Sequence, residues 1–291
     1  MKSLYSKIGK CILLYLFGGY LFQLIYTTVL TELFGEAITG EAWYLWCSML
    51  IPVYLLSFPL SFLVFRRIET APMEIHKLSG NQFIDCILIG VFLSGTGSLL
   101  GILIESFLVP APGAGSNAVE ELLLQSDLFW RILCVGVAAP IVEELVFRKL
   151  LIDRVICAGE KITVFLSGFL FALSHGNFSQ FFYTFFLGML WAYIYVRTGR
   201  VIYTILLHMI LNLSSSVITV FALELGGMYQ WAWYGALCVM AIAGMVVLIR
   251  NRRKFYFKAA LQEPWRKVLL NAGMIAYISF CVGLFLLTYA E

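Results

Sequence analysis

Nine long apolar segments, separated by short polar stretches, dominate the pattern of the chain. Eight of the nine are close to the ~20 residues that an α-helix needs to cross a membrane. Their apolar residues run on without the period-two alternation of outer-membrane barrel strands. The pattern therefore predicts an all-α, polytopic transmembrane helical bundle of about nine spans. The segments are 11–34, 43–65, 84–108, 128–150, 162–175, 178–196, 201–223, 230–249 and 268–289.

The fifth segment, 162–175, is shorter than the others. Its 14 residues would extend only about 21 Å at about 1.5 Å per residue, less than a hydrocarbon core of about 30 Å. It is joined to the sixth segment by Gly176 and Asn177 alone. We therefore expect the two to form a hairpin whose tip stays within the membrane or in a cavity, where protein or water covers the irregular backbone.

Composition agrees with this prediction and argues against a soluble or disulfide-rich protein. The chain of 291 residues is 61% hydrophobic and only 13% charged, whereas a soluble domain is nearer half apolar and a quarter charged. Seven cysteines are scattered without a CxxC pair, so they are interpreted as packing residues rather than a disulfide or zinc-finger framework. The segment 11–34 is too long for the apolar region of a signal peptide, and no cleavable signal peptide is expected.

Basic residues predict the orientation of the chain. With the N-terminus in the cytoplasm, nine spans place nineteen of the twenty Lys and Arg residues on the inner side. The exception is Arg131, which follows Asp127 by four residues and can pair with it. We expect a multi-pass protein of the cell membrane. The basic run 250–267 would lie on the inner leaflet and contact anionic lipid, and no nucleic-acid partner is expected.

The fourth segment contains two adjacent carboxylates in otherwise apolar surroundings. Charges within spans are costly and mark a functional site or a buried pair. Glu144 and Arg148 are four residues apart on one helix face, so they can form an ion pair. Glu143 points about 100° away and is left without a cation on its own helix. Pro140 is expected to kink this span and to free a backbone carbonyl. An alternative is that both glutamates simply extend to the inner boundary with Arg148.

Two of the three histidines also lie in apolar segments. His175 ends the fifth segment, four residues after Phe171, and His208 stands four residues before Asn212 in the seventh. The third, His76, falls in the loop 66–82 and is interpreted as a surface residue. Two histidines, an asparagine and an unpaired glutamate are costly to bury without a purpose, so the set indicates a functional site.

These residue types suit peptide hydrolysis without a covalent nucleophile. A poorly solvated carboxylate can take a proton from water, and a histidine can orient that water. A second histidine and an amide can donate to the oxyanion of a tetrahedral intermediate. Other intramembrane designs fit less well, because the spans contain neither an HExxH zinc motif nor a pair of aspartates. The glycine-serine cluster 94–98 is interpreted as close helix packing.

At this point three motifs in order resemble the CPBP family, the CAAX protease and bacteriocin-processing (Abi) group of intramembrane proteases. This group includes the type II CAAX prenyl endopeptidases. The motifs are EExxxR, FxxxH and HxxxN, formed by Glu143, Glu144, Arg148, Phe171, His175, His208 and Asn212. The resemblance covers about 125–215. It implies a catalytic core over 125–215, between N-terminal spans in 1–124 and C-terminal spans with the basic loop in 216–291.

The resemblance also implies roles for the motif residues. Glu143 would be the catalytic glutamate, and His175 would share its water. His208 and Asn212 would form the oxyanion site. The supporting residues would be Glu144, Arg148 and Phe171. Lys149 stands where family members commonly have glycine, and it would narrow the approach to the site.

The sequence leaves metal dependence open. Two histidines and two glutamates could ligate Zn²⁺ with an open position, and Glu143, His175 and His208 are then the candidate ligands. The metal-free version is favoured, because Glu144 is already committed to Arg148. The expected substrate is a membrane-associated or lipidated peptide. A prenylated tail, a bacteriocin leader, a pheromone precursor and a membrane regulator fit equally well.

One geometric difficulty follows from the spans. Measured from the inner boundary, Glu143 and His208 would lie about 7 and 10 Å deep, and His175 about 21 Å deep. They can meet only if the fourth span extends past Arg148 toward Asp153, or if the fifth span is strongly tilted.

Two functions other than proteolysis stay open at this stage. A peptide-binding immunity protein could use the same fold without cleavage. A proton-coupled transporter could use Glu143 and the histidines as a relay, but the internal repeats of span pattern that are common in transporters are not found.

Overall fold

The structure is a computed structural model that describes residues 2–108, 122–123, 126–258 and 263–290. This part of the chain is mainly helical and contains no strand, so the predicted all-α class is confirmed. Each of the nine predicted segments overlaps a helix. The helices are α1 Lys2–Phe34, α2 Ala42–Phe65, α3 Gly80–Leu108, α4 128–155, α5 Glu160–Leu173, α6 Phe178–Thr198, α7 Val201–Leu225, α8 Gly227–Asn251, α9 Trp265–Leu269 and α10 Ala272–Thr288.

The last predicted segment, 268–289, is interrupted near its start. The short helix α9 ends at Leu269 and α10 begins at Ala272. Asn271 lies between them, and its side-chain oxygen accepts a hydrogen bond from the N–H of Met274 at 3.1 Å. An asparagine that caps the third residue of a helix in this way fixes the start of that helix.

Five helices are long and apolar enough to cross a membrane: Ser3–Phe34, Ala42–Phe65, Gly80–Leu108, Val201–Leu225 and Gly227–Lys254. The helix α10 is apolar but has only 17 residues, and α5 has 14. These features indicate an integral membrane protein. The count of nine spans and the cytoplasmic N-terminus stay predictions.

The described helices pack into two compact units, one formed by residues 1–71 with 263–280 and the other by 72–262 with 281–291. In the first unit, serine hydroxyls of α2 bind backbone carbonyls of α1. Ser57 donates to Tyr15 at 2.7 Å, and Ser61 donates to Cys11 at 2.8 Å. The division of the chain at 124 and 215 that the resemblance implies stays a prediction.

In the second unit, glycines let α3 approach both α6 and α8. A Cβ atom on Gly97 would lie 2.3 Å from the Cα atom of Tyr183 on α6, and one on Gly244 of α8 would lie 2.0 Å from the Leu88 carbonyl oxygen on α3. No side chain fits at such distances, so the backbones touch directly. The interpretation of the cluster 94–98 as a packing motif is therefore confirmed for Gly97.

The helices α5 and α6 form the predicted hairpin. They touch at two glycines, since a Cβ atom on Gly188 would lie 2.9 Å from the Cα atom of Gly168. The turn contains Gly176, whose φ of +69° favours glycine. The side chain of Asn177 caps α6 by accepting a hydrogen bond from the N–H of Gln180 at 2.9 Å.

The open end of this hairpin is closed by an ion pair and by the segment that follows α8. Glu160, in the first turn of α5, pairs with Arg197, in the last turn of α6. The backbone N–H of Lys258 donates to the same glutamate. The Arg197 guanidinium lies 4.6 Å from the ring centre of Tyr256 and 5.2 Å from that of Tyr193. The hairpin is thus held at its open end by both charge and aromatic contacts.

Near the start of α4 and the end of α7 a second ion pair joins these two helices. The guanidinium of Arg131 is buried and its Nη2 atom lies 2.9 Å from the Glu224 carboxylate. Asp127, the partner that the sequence suggested, immediately precedes α4. The pair with Glu224 fixes α7 beside α4, and these two helices contribute most of the site.

Candidate functional site

The helix α4 departs from regular α-helical geometry on both sides of the two glutamates. Arg131–Ala138 and Leu145–Leu150 form wider π-type turns, and Ala139–Glu144 between them is α-helical. Such turns are rare and often occur at functional sites. The helix then continues as Leu151–Val155, past Arg148. This extension is one of the two arrangements that the depth argument required.

Glu144 and Arg148 form the predicted ion pair at the centre of this region. Their Oε2 and Nε atoms are 3.0 Å apart, and both side chains are fully buried. The guanidinium also donates from Nη1 to the hydroxyl of Ser167 at 3.3 Å and lies 4.7 Å from the ring centre of Phe171. A buried charge needs such compensation from several sides, so Glu144 is held in place by Arg148.

His208 stands between the two neighbouring carboxylates. Its Nδ1 atom lies 3.0 Å from Oε1 of Glu144, and its Nε2 atom lies 3.7 Å from Oε2 of Glu143. An ionised carboxylate can only accept, so Nδ1 carries the hydrogen in the bond to Glu144. The Glu143 side chain is 21% exposed, whereas that of Glu144 is 0% exposed. Of the two, Glu143 is the carboxylate that a water molecule or substrate can reach.

The ring of Phe171 is the common contact of the residues around it. The ring centre of His175 lies 4.9 Å from it and that of His208 lies 5.9 Å from it, both edge to face. Phe147 of α4 contacts it at 5.2 Å. With Arg148 over the ring as well, Phe171 connects all three motifs through one buried side chain. The structure thus brings the residues of the EExxxR, FxxxH and HxxxN motifs together.

The hydrogen bond of His175 fixes the state of its ring. Its Nδ1 atom lies 3.0 Å from the Phe171 carbonyl oxygen. A carbonyl can only accept, so Nδ1 donates, and in the neutral ring Nε2 is left as the accepting atom. His175 can therefore accept a hydrogen bond from a water molecule through Nε2.

Asn212 binds the backbone of α4, which the sequence did not anticipate. Its Nδ2 atom donates to the Val135 carbonyl at 2.9 Å. In the π-type turn, Ala139 donates its N–H to the carbonyl of Cys134, five residues earlier. The same spacing would pair Pro140 with the carbonyl of Val135, but proline has no N–H. The carbonyl that Pro140 was expected to free is therefore the one that Asn212 binds. One amide hydrogen of Asn212 is committed, and the second is available to a ligand.

Sequence reasoning missed two hydroxyl groups that support the site. Ser167 donates to the Phe147 carbonyl at 2.8 Å, besides accepting from Arg148. Thr204 places its hydroxyl beside the Glu144 carboxylate. Helical periodicity contained the signal for both. Ser167 precedes Phe171 by four residues, and Thr204 precedes His208 by four, so each lies on the face that carries the motif.

The candidate ligands do not form a metal centre in the described part of the chain. No three side chains of His, Cys, Asp or Glu there are grouped so that they could hold a metal ion. Glu144 is bound to Arg148 and His208, and the Nδ1 atom of His208 is spent on Glu144. The role of Glu143, His175 and His208 as zinc ligands stays a prediction, in which both histidines would bind through Nε2.

Comparison with known proteins agrees with the motifs. Residues 125–214 match the family model described as type II CAAX prenyl endopeptidase Rce1-like. The match covers α4, α5, α6 and the first half of α7, and it includes every motif residue. Neither curated proteins nor solved structures gave a match to this chain. The resemblance to the CAAX protease family is thereby confirmed, and it supports a protease at the family level.

Proposed function

On the premise of this family match, we propose that the chain is an intramembrane endopeptidase in which Glu143 activates water for attack on a peptide bond. One observation supports the proposal most strongly. Two adjacent glutamates have opposite surroundings. Glu144 is fully buried and paired with Arg148. Glu143 is partly exposed, and among the described residues it faces no possible cation other than His208. A general base must be accessible and uncommitted.

The proposed reaction begins at Glu143. Its carboxylate takes a proton from a water molecule that also donates to Nε2 of His175, and the water oxygen bonds to the scissile carbonyl carbon. The carbonyl oxygen becomes an oxyanion. Glu143 then passes its proton to the departing amide nitrogen, and the C–N bond breaks to leave a carboxylic acid and an amine. The acid then gives its proton to the amine, so the products are a carboxylate and an ammonium group.

His208 and Asn212 are proposed to stabilise the oxyanion. When His208 is protonated, Nε2–H becomes a donor while Nδ1–H stays bound to Glu144 at 3.0 Å. The ion pair of Glu144 with Arg148 keeps that acceptor in position. The second amide hydrogen of Asn212 supplies the other donor, since the first binds the Val135 carbonyl. Preorganised donors of this kind can lower the barrier by a few kcal/mol, roughly 10²–10³ in rate for one donor.

We propose a metal-free reaction, because the second glutamate, Glu144, is committed to Arg148 and His208. The substrate class is a peptide held at or in the membrane, and a prenylated C-terminal segment is one member of that class. The long apolar helices support this class, because they indicate a protein that lies in the lipid. Membrane lipid is accordingly a further partner.

The test compares cleavage by the intact protein with that by Glu143→Gln in nanodiscs. Quenched peptides with and without a farnesyl group serve as substrates. Glu143→Gln should lower turnover by about 10²–10⁴ while the protein stays folded and inserted. The control Glu36→Gln changes an exposed glutamate remote in sequence from the motifs and should leave turnover unchanged. Equal cleavage by Glu143→Gln would show that another group is the base. Saturable peptide binding without any cleavage would favour the immunity-protein alternative.

The same assay decides the metal question. Protein stripped with phenanthroline should keep its turnover, and elemental analysis should find less than stoichiometric zinc. Loss of turnover that added zinc restores, together with about one bound equivalent, would reassign Glu143, His175 and His208 as ligands.

A further inference from the structure

The hairpin tip, residues 174–179, carries His175 and leads directly into α6. The first N–H groups of a helix have no acceptor within that helix. In α6 these are the N–H groups of Phe178, Ser179 and Gln180, the three residues that follow the cap residue Asn177. Their acceptors determine how the tip is held.

Only one of the three acceptors comes from the tip itself. Gln180 donates to the side chain of Asn177 at 2.9 Å. Phe178 donates to the hydroxyl oxygen of Tyr289 at 2.7 Å, and Ser179 donates to the carboxylate of Glu105 at 3.0 Å. Two distant helix ends, those of α10 and α3, thus complete the cap of α6.

These two outside acceptors are also bound to each other and to the tip. The hydroxyl of Tyr289 donates to the carboxylate of Glu105, and the phenol ring stacks on Phe178 with ring centres 5.4 Å apart. The hydroxyl of Thr288 donates to the Gly176 carbonyl at 3.1 Å. We call Glu105, Thr288 and Tyr289 the tip clamp.

A glycine on α3 brings the clamp within reach. A Cβ atom on Gly101 would lie 2.7 Å from the Phe178 carbonyl oxygen, so α3 and the start of α6 are in backbone contact. Glu105 stands one turn after Gly101 on the same face of α3. Its negative charge faces the start of α6, where the helix dipole is positive. The carboxylate is therefore favourably placed as well as hydrogen-bonded.

The tip has hydrogen bonds of its own, such as the one from the Asn177 side chain to the His175 carbonyl at 2.9 Å. The clamp adds the bonds that join the tip to α3 and α10. The His175 ring is held by one hydrogen bond, to the Phe171 carbonyl, and by the Phe171 ring. The next residue, Gly176, has a positive φ and the wide conformational freedom of glycine. The clamp binds the carbonyl of Gly176 and the N–H of Phe178, so it fixes the backbone immediately after His175.

We propose that the tip clamp is a set of positioning residues that holds His175 in the geometry needed to orient water. The inference rests on the proposed function and adds residues outside the three motifs to it. A displacement of about 1 Å in a catalytic group can lower turnover by up to about 10², so loosening of the clamp should act on kcat rather than on KM.

The test removes the hydroxyl of Tyr289 and keeps its ring. Tyr289→Phe retains the stack on Phe178 and should lower kcat about tenfold at unchanged KM. Glu105→Ala should do the same, and Glu105→Gln, which keeps an accepting oxygen, should recover most of the loss. The matched control is Tyr229→Phe, at an exposed tyrosine in the first turns of α8, which should behave as the unmodified protein.

Backbone hydrogen exchange gives a readout that does not depend on proteolysis. Peptides covering 174–180 should exchange faster in Tyr289→Phe and Glu105→Ala than in the unmodified protein or in Tyr229→Phe. Carbethoxylation of His175, followed by peptide mapping, should be faster in the same two variants. If the unmodified protein cleaves no peptide, the proposed function is wrong. The rates of hydrogen exchange and of carbethoxylation then still test whether the clamp holds the tip. Unchanged exchange and carbethoxylation in Tyr289→Phe and Glu105→Ala, or a kcat equal to that of Tyr229→Phe, would overturn it.

Discussion

Glu143 and Glu144 show how much the surroundings decide the role of a residue. They are chemically identical and adjacent, yet Glu144 faces Arg148 and Glu143 faces the Nε2 atom of His208. Burial of a charge is tolerated only where counter-charges and hydrogen bonds replace the lost water. Glu144 has Arg148, His208 and Thr204 for this purpose. The fully buried carboxylate is thus held by its neighbours, and the adjacent one is the carboxylate for which we propose a role in the chemistry.

This difference predicts that Glu144 matters for stability. Glu144→Gln leaves the guanidinium of Arg148 buried without an anion, and the free energy of unfolding should fall by about 3–5 kcal/mol, the cost of breaking a buried pair. Glu143→Gln removes no buried ion pair and should change it by less than about 1 kcal/mol. Denaturant titration in mixed micelles measures both variants. A larger loss in Glu143→Gln than in Glu144→Gln would contradict the assignment.

At this scale the sequence predicts well what lies on one helix face. The spacing of four residues predicts the pair of Glu144 and Arg148, and both are found in contact. It cannot predict that His208 lies between two carboxylates, because that contact joins residues 64 positions apart. Thr204 and Ser167 were within reach of the same periodicity, but hydroxyl residues are common in membrane helices and stand out only once their partners are known.

At the scale of elements, α4 and α7 are joined where α4 lacks a hydrogen bond. Pro140 cannot donate to the carbonyl of Val135, and the amide of Asn212 takes its place. The bond aligns the face of α7 that also carries His208, one turn earlier. A proline that weakens one helix therefore fixes the position of its neighbour.

This arrangement predicts an energetic coupling between Pro140 and Asn212. Asn212→Leu leaves the Val135 carbonyl without a donor and should cost about 1–3 kcal/mol of stability. In the Pro140→Ala background the restored N–H can bind that carbonyl, so the same change should cost about 1 kcal/mol less. A double-mutant cycle on the free energy of unfolding measures the difference. Strict additivity would show that the two residues do not share the carbonyl.

The hairpin of α5 and α6 was predicted from the length of the fifth segment and from Gly176 and Asn177, and the structure confirms it. Its clamp was not predicted. Glu105 and Tyr289 lie 74 and 111 residues from the N–H groups that they bind. Local spacing carries no information on contacts of that range, and a lone glutamate or tyrosine near a helix end has no distinctive pattern.

For the whole molecule, the arrangement across the membrane is the main prediction from the sequence. Length and composition identify five candidate spans, whereas the apolar segments and the distribution of basic residues predict nine. The difference lies in four helices. The helix α4 carries the charged motif residues, α5 and α10 have only 14 and 17 residues, and α6 has 21 residues but is not among the five. In the nine-span arrangement eight spans precede the end of α8, and in the five-span arrangement five do. An even and an odd number of crossings place the end of α8 on opposite sides of the membrane.

Labelling can separate these two arrangements. Single cysteines at Glu36 and Arg253, both exposed, are introduced into a cysteine-free chain and treated with an impermeant maleimide on intact cells. With eight spans before Arg253, only Glu36→Cys should react from outside. If only the five long helices cross, both positions should lie on the same side and react alike. Reaction of Arg253→Cys from outside would overturn the nine-span arrangement.

The clamp has a consequence for the order of events during synthesis. The tip is made 111 residues before the tyrosine that completes the cap of α6, which at about 5–20 residues per second is a delay of roughly 6–20 seconds. During that interval the N–H of Phe178 must be satisfied by water or lipid headgroups, whereas Glu105 and Asn177, the acceptors of Ser179 and Gln180, have already been made. If the clamp positions His175 as proposed, a ribosome-bound chain with all three motifs already inserted would turn over more slowly than the finished protein, and its maturation would coincide with the arrival of α10.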